Sequence, residues 1–96
     1  MSQTIDNPTF SPRAISSDEL GGMAQVVLYN DEVNDVRFVV SCLMQIFHHP
    51  HSLAVKIMKE AHEKGKAIAE VEEIKPATLH KQQLESFGLT AEVERI

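Results

Sequence analysis

The sequence predicts a small α/β domain: a two-layer sandwich of order β-α-α-β-α-β, with a small antiparallel sheet covered by helices. Three observations carry that expectation. Apolar residues recur at helical spacing over residues 35–47 and again over 50–64. Short β-branched or alternating runs stand at residues 24–29, 67–74 and 90–95. Prolines and glycines punctuate the joints at Pro50, Gly65, Pro76 and Gly88.

Each element has a local reason. Residues 24–29 read AQVVLY, β-branched and closed by an aromatic, which suits a pleated surface. A polar turn follows at 30–34, and Asn34 is the expected N-cap of the first helix. Asp35 in the first turn suits the positive end of the helix dipole. Val36, Val39, Val40, Leu43, Ile46 and Phe47 then form one apolar stripe. His48 and His49 with Pro50 end that helix, and Pro50 fits the first turn of the next. The second helix carries Leu53, Ile57 and Ala61 on one stripe. Ala54, Met58 and His62 lie on the adjacent one, and Gly65 closes the helix. Residues 67–74, AIAEVEEI, alternate as a strand with one wet face. Pro76 opens a third helix with Leu79, Leu84 and Phe87, and Gly88 ends it. In the last strand Ala91 and Val93 share one face, Glu92 and Glu94 the other.

The chain has 96 residues, enough for one domain. Residues 1–23 hold Pro8, Pro12, Gly21, Gly22 and few large apolar groups, so they are expected to form a flexible extension before a core at 24–96. A single cysteine forms no internal disulfide. No apolar run reaches about 18 residues, so no transmembrane helix is expected, and the N-terminus lacks the pattern of a secretory signal. The net charge of −5 argues against nucleic acid as a partner. A soluble protein with no membrane partner is expected.

The stretch VVLYNDE, residues 26–32, poses the functional question. Strand residues run straight into Asn30, Asp31 and Glu32, and Asn34 and Asp35 come soon after. Turn and cap duty explain much of this, and the glycine of a calcium loop is missing. His48, His49 and His51 crowd one loop too closely for three tetrahedral ligands, so a solvated loop explains them and no metal is expected. Cys42 reads as a small packed hydrophobe. His62 stands near the end of the second helix, where a histidine often serves packing or the helix dipole. Gly65 and Lys66 lack the rest of a phosphate loop. The residues alone therefore give a small α/β binding domain, with no catalytic constellation and no cofactor.

The run VVLYNDE, then Phe38-Val39-Val40, then A-x-x-x-M-x-x-x-H-x-x-G-K-A-I from Ala54 to Ile68, resembles the ClpS family. The final T-A-E-V-E, Thr90 to Glu94, resembles that family's last strand. These are adaptors, not enzymes, that hand N-degron substrates to the ClpA or ClpC unfoldase of the Clp protease. The resemblance implies a core like the C-terminal domain of the ribosomal stalk protein, a monomer, and a flexible extension for the unfoldase pore. It implies contact with the ClpA or ClpC N-terminal domain, in bacterial cytoplasm or, after processing, plastid stroma. It also implies a ligand: the N-terminal Leu, Phe, Tyr or Trp of a peptide or protein.

By that resemblance Asn30, Asp31 and His62 bind the α-amine, with His62 accepting through one ring nitrogen as a neutral imidazole. Glu32 and Asn34 stand at the ligand backbone or rim. Val36, Val39, Met58, Ala61 and Leu89 line the side-chain pocket, and Lys75 and His80 are candidates for the unfoldase contact. Glu32 stands where a second Asp is frequent, Val36 where a methionine is common, Ala61 where a valine is common, and Asn34 where a threonine is frequent. The smaller Val36 and Ala61 suggest a roomier pocket. Two other readings stay open: a protein-interaction domain of the same fold without an N-degron pocket, and a metal-dependent hydrolase built on the loop histidines.

Overall fold

The computed structural model describes residues 22–96, so residues 1–21 of the expected extension lie outside the described residues. The next two are part of the folded core. Met23 opens the first strand, and the Gly22 carbonyl accepts the N–H of Ile74 at 3.0 Å. The elements run β1 (Met23–Tyr29), α1 (Val36–Phe47), α2 (His51–Lys64), β2 (Lys66–Glu73), α3 (Ile74–Ser86) and β3 (Ala91–Arg95). The predicted order is thus the observed one, a small α/β fold with a three-stranded antiparallel sheet and three helices.

β1 is the central strand, in the order β2-β1-β3. Both pairings are antiparallel, with Tyr29 opposite Lys66 and Leu28 opposite Ala91. The C-terminal end of β1 therefore lies beside the starts of both neighbours. The segments that lead into those starts, the end of α2 and the loop after α3, converge there on the turn after β1. Two backbone bonds fasten the junction: Tyr29 N–H to the Thr90 carbonyl at 3.0 Å, and Asn30 N–H to the Gly65 carbonyl at 2.9 Å.

The core alternates along the strands as a half-covered sheet requires, apart from Val27 of β1, which is buried as well. Ala24, Val26 and Leu28 of β1 are buried with Ala67 and Ala69 of β2 and Ala91 of β3. Small side chains at most of these positions let the helical layer sit close to the sheet. α2 packs on β2, α3 packs on β1 and β3, and α1 rests on both helices. The α1 stripe holds except at its first member: Val39, Val40, Leu43, Ile46 and Phe47 are buried and Cys42 packs with them, while Val36 is exposed. Burial also raises the Cys42 thiol above its ordinary pKa, which keeps it protonated and inert.

Several expectations are corrected. The N-cap of α1 is Asp35, not Asn34: the Asp35 carboxylate accepts the Arg37 N–H at 2.8 Å. The Asn34 side chain turns back to Asp31 instead. The strand expected to reach residue 74 stops at Glu73, and Ile74 already begins α3, with Pro76 inside its first turn where no backbone donor is needed. In α2 the buried stripe is Ala54, Ile57 and Ala61, while Leu53 is exposed. In α3 Ala77 and Leu84 are seven residues apart, two turns, and share the inner face. Leu79, about 200° round the axis from Ala77, is 53% exposed. Phe87 lies past the helix end and packs edge-on against Phe38, with both rings partly exposed.

The centre of α1 should carry a large share of the stability. Leu43 is fully buried. Leu43→Ala is expected to cost about 2–5 kcal/mol in urea unfolding, while Leu53→Ala, on the exposed side of α2, costs clearly less.

Candidate functional site

Gly65 is the joint on which the site is built. It caps α2 in the left-handed conformation, at φ 92°, and its N–H returns to the Ala61 carbonyl at 2.9 Å. A side chain would be strained at that angle. Its own carbonyl receives the N–H of Asn30. The first residue of the polar turn is thus fixed one turn beyond Ala61 and His62.

The turn is held by its own acceptors. Asp31 Oδ1 accepts the N–H groups of Val33 at 2.8 Å and Asn34 at 2.9 Å, and Oδ2 accepts the Asn34 amide at 2.6 Å. Partial burial works to raise the Asp31 pKa. The Asn34 side-chain and backbone donors and the Val33 N–H outweigh it, so the carboxyl sits below its ordinary value. Asn34 also reaches across to the Gly88 carbonyl at 3.4 Å, which links the turn to the loop after α3. Glu32 is exposed and accepts the Asn30 side-chain amide at 2.5 Å. With its nitrogen so engaged, the Asn30 amide oxygen accepts no hydrogen bond among the described residues.

These segments enclose a narrow notch. Asn30, Asp31, Asn34 and His62 supply its polar wall, and Val36, Val39, Met58 and Ala61 its apolar wall. Eight residues singled out in the sequence, from β1's turn, α1 and α2, therefore meet at one place. His62 makes no hydrogen bond or ion pair among the described residues, so no neighbour fixes its tautomer. The notch holds about 20 Å³, room for one water-sized group. Val36 and Ala61, the two residues from which a roomier pocket is expected, both stand on its apolar wall.

Four expected residues stand apart from it. Glu32 does not line the notch and instead braces Asn30. Leu89 does not line it either: it is buried in the core, its N–H bonded to the Leu84 carbonyl at 3.1 Å. Lys75 is exposed on α3. His80 is half-buried, paired with Glu72 at 2.6 Å and set edge-on against Phe47. Two notch residues were missed, Leu28 and Tyr29. Their place directly before Asn30 was the available signal.

The loop histidines have separate surroundings. His48 caps α1 in the left-handed region at φ 59°. His49 stacks on Phe47 and bonds the Ala69 carbonyl at 2.7 Å, and His51 starts α2. Among the described residues no group of three His, Cys, Asp or Glu is placed to hold a metal ion. Nor is any helix of these residues long and apolar enough to cross a membrane.

Comparisons with known proteins bear on this geometry. Residues 21–92 match the family model "ATP-dependent Clp protease adaptor protein ClpS". The ClpS adapter protein of Synechococcus elongatus is 33% identical over 84 residues, covering 86% of this chain and 88% of its own. That of Oleidesulfovibrio alaskensis is 36% identical over 78 residues, covering 75% of each. Among solved structures, Agrobacterium tumefaciens ClpS2 bound to L-phenylalaninamide superposes with a TM-score of 0.74 at 24% identity, over 77% of this chain and 96% of that one. The last likeness speaks to the fold.

The turn's dependence on Asp31 has a pH signature. A carboxylate with a lowered folded pKa stabilises above its unfolded value and stops doing so as pH falls through the folded one. Asp31→Ala is therefore expected to lower Tm by a few degrees at neutral pH. In thermal melts the gap to the native protein should close as pH drops below the ordinary Asp range, about 3.9.

Proposed function

The chain belongs to the ClpS family of ATP-dependent Clp protease adaptors, and from that premise we propose that it grips the bulky apolar N-terminal residue of N-degron substrates through the free α-amine. The observation that supports this reading is the notch itself. It sets the Asn30 oxygen and the His62 imidazole, both without donors among the described residues, beside the charge of Asp31 and an apolar wall.

The fit is chemical. A chain's α-amine has a pKa of about 7.7–8.0, so near neutrality it is largely a cation with three donors. A cation leaves water only where acceptors replace its hydration. Asn30 Oδ1 and one ring nitrogen of His62 are two such acceptors. Asp31 is already bonded within its turn and acts through its charge. Hydrogen bonds to a charged group contribute about 1.5–3 kcal/mol each. The notch as it stands suits the ammonium in size. A Leu, Phe, Tyr or Trp side chain needs its wall to yield. Met58, unbranched and only partly buried, changes rotamer at small cost. Val36, 48% exposed, has solvent on one side into which it can give way. Leu89 is assigned to the core behind this wall.

Membership in the adaptor family implies a Clp unfoldase as partner. ClpA or ClpC is the proposed one, met through its N-terminal domain at the surface that carries Lys75. His80 would take part from its place beside Glu72, at 2.6 Å. The chain before β1 is assigned as the extension offered to the unfoldase pore, and the core acts as a monomer. The protein binds without turnover, in bacterial cytoplasm or plastid stroma.

Fluorescence anisotropy with peptides that begin with Leu, Phe, Trp or Ala tests the reading. The free-amine bulky peptides are expected to bind, and the acetylated and Ala-first ones at least tenfold more weakly, because acetylation removes the charge and leaves buried acceptors unpaired. Equal affinity for free and acetylated forms would end it. Asn30→Ala or His62→Ala should each weaken binding about tenfold or more. Affinity should also fall as pH rises through about 8, where the amine loses its proton.

A further inference from the structure

A second cavity, of about 310 Å³, lies between α1 and α2 and shares Val36 and Met58 with the notch. It rests on two facing stripes. Val36, Val40 and Met44 descend α1 four residues apart, and Met58, Val55 and His51 line the facing side of α2. The helices are antiparallel neighbours, so both stripes lead away from the same end. From Val36 to Met44 is about 12 Å along the axis, the reach of three or four residues of extended chain. Five of the cavity's eight lining residues are apolar, and Arg37, Ser41 and His51 are the polar ones. Its one permanent cation, Arg37, is solvent-exposed and already paired with Asp35 at 3.3 Å, so charge is not what the groove selects.

We propose that this groove is the subsite for the second residue of the bound chain, and that it favours a large apolar side chain there. The inference rests on the adaptor reading above, since the notch must hold the N-terminal residue for the groove to meet the second one. A chain whose amine is seated between Asn30 and His62 leaves over the edge formed by Val36 and Met58. Its next side chain comes within one helical turn of that edge, where Val40 and Val55 stand. Both are already among or against the core, so the floor is firm. A glycine at that position would leave the floor uncovered, and an aspartate would lose hydration over Val40 and Val55, with the Arg37 guanidinium standing out in solvent beside Asp35.

The test uses free-amine peptides that differ only at the second residue, Leu-Leu, Leu-Gly and Leu-Asp, against the full chain. Leu-Leu is expected to bind about fivefold or more tighter than Leu-Gly, with Leu-Asp no better than Leu-Gly. In Val55→Asn and in Met44→Gln the Leu-Leu to Leu-Gly ratio should fall toward one. Met44 is partly exposed, so its replacement probes the groove without emptying the core. A ratio near one in the native protein overturns the proposal, as does a native-like ratio in both variants. Amine-dependent binding indifferent to the second residue overturns this subsite and leaves the adaptor reading standing. Absence of amine-dependent binding by any of the peptides overturns both.

Discussion

The hydrogen bond from Asn30 N–H to the Gly65 carbonyl, 2.9 Å long, is the constraint on which the site depends. It joins the first residue after the central strand to the residue that ends α2. Without it, the turn and the helix would be neighbours by topology only. With it, an amide oxygen and an imidazole separated by 32 positions in sequence border one notch. Gly65 makes the bond possible, because its left-handed backbone lets the chain leave α2 and enter β2 in a single residue. The antiparallel register then carries Lys66 to its place opposite Tyr29.

The richness of the turn in acceptors comes from this need for rigidity. Most of its oxygen atoms serve the turn. Asp31 uses both carboxylate oxygens on Val33 and Asn34, Asp35 caps α1, and Glu32 holds the amide nitrogen of Asn30. Among the described residues the Asn30 oxygen and the ring of His62 are without donors, and these are the groups proposed to meet a ligand. A preorganised pair of acceptors beside a fixed negative charge loses little on binding a cation, since their geometry is set beforehand. The acidic residues are thus mainly the frame of the turn. The apolar wall has the opposite character. Met58 is adaptable and Val36 is half in solvent, so the specific end of the site is rigid and the permissive end is soft.

Much of the fold was legible because periodicity reports it directly. The three-and-four spacing of α1 marked its buried face, and glycines and prolines marked most joints. Where reading failed, the competing fact was three-dimensional. Asn34 and Asp35 are both good caps, and only the chain's path decides that Asp35 turns back on Arg37 while Asn34 reaches Asp31 and Gly88. Leu53 and Leu79 are as apolar as their neighbours. They lie on outward faces because alanines at 54 and 77 allow closer packing to the sheet. The separation between Asn30 and His62 could not come from pattern, since it depends on strand register and on the Gly65 contact. The family resemblance, carried by the spacing from Met58 to Gly65, supplied the pairing. It also placed Leu89 in the wall, where the loop after α3 instead turns it into the core. The groove between α1 and α2 was invisible in sequence, because it is a property of how two helices cross.

The most direct test of the central claim is a nitrogen-detected NMR titration of the labelled protein with a Leu-first peptide and its acetylated twin. The free-amine peptide should shift the Asn30 side-chain amide, the His62 ring nitrogens and the backbone amide of Gly65, and the acetylated one should leave all three in place. Shifts that avoid those groups, or that appear equally with both peptides, would contradict it.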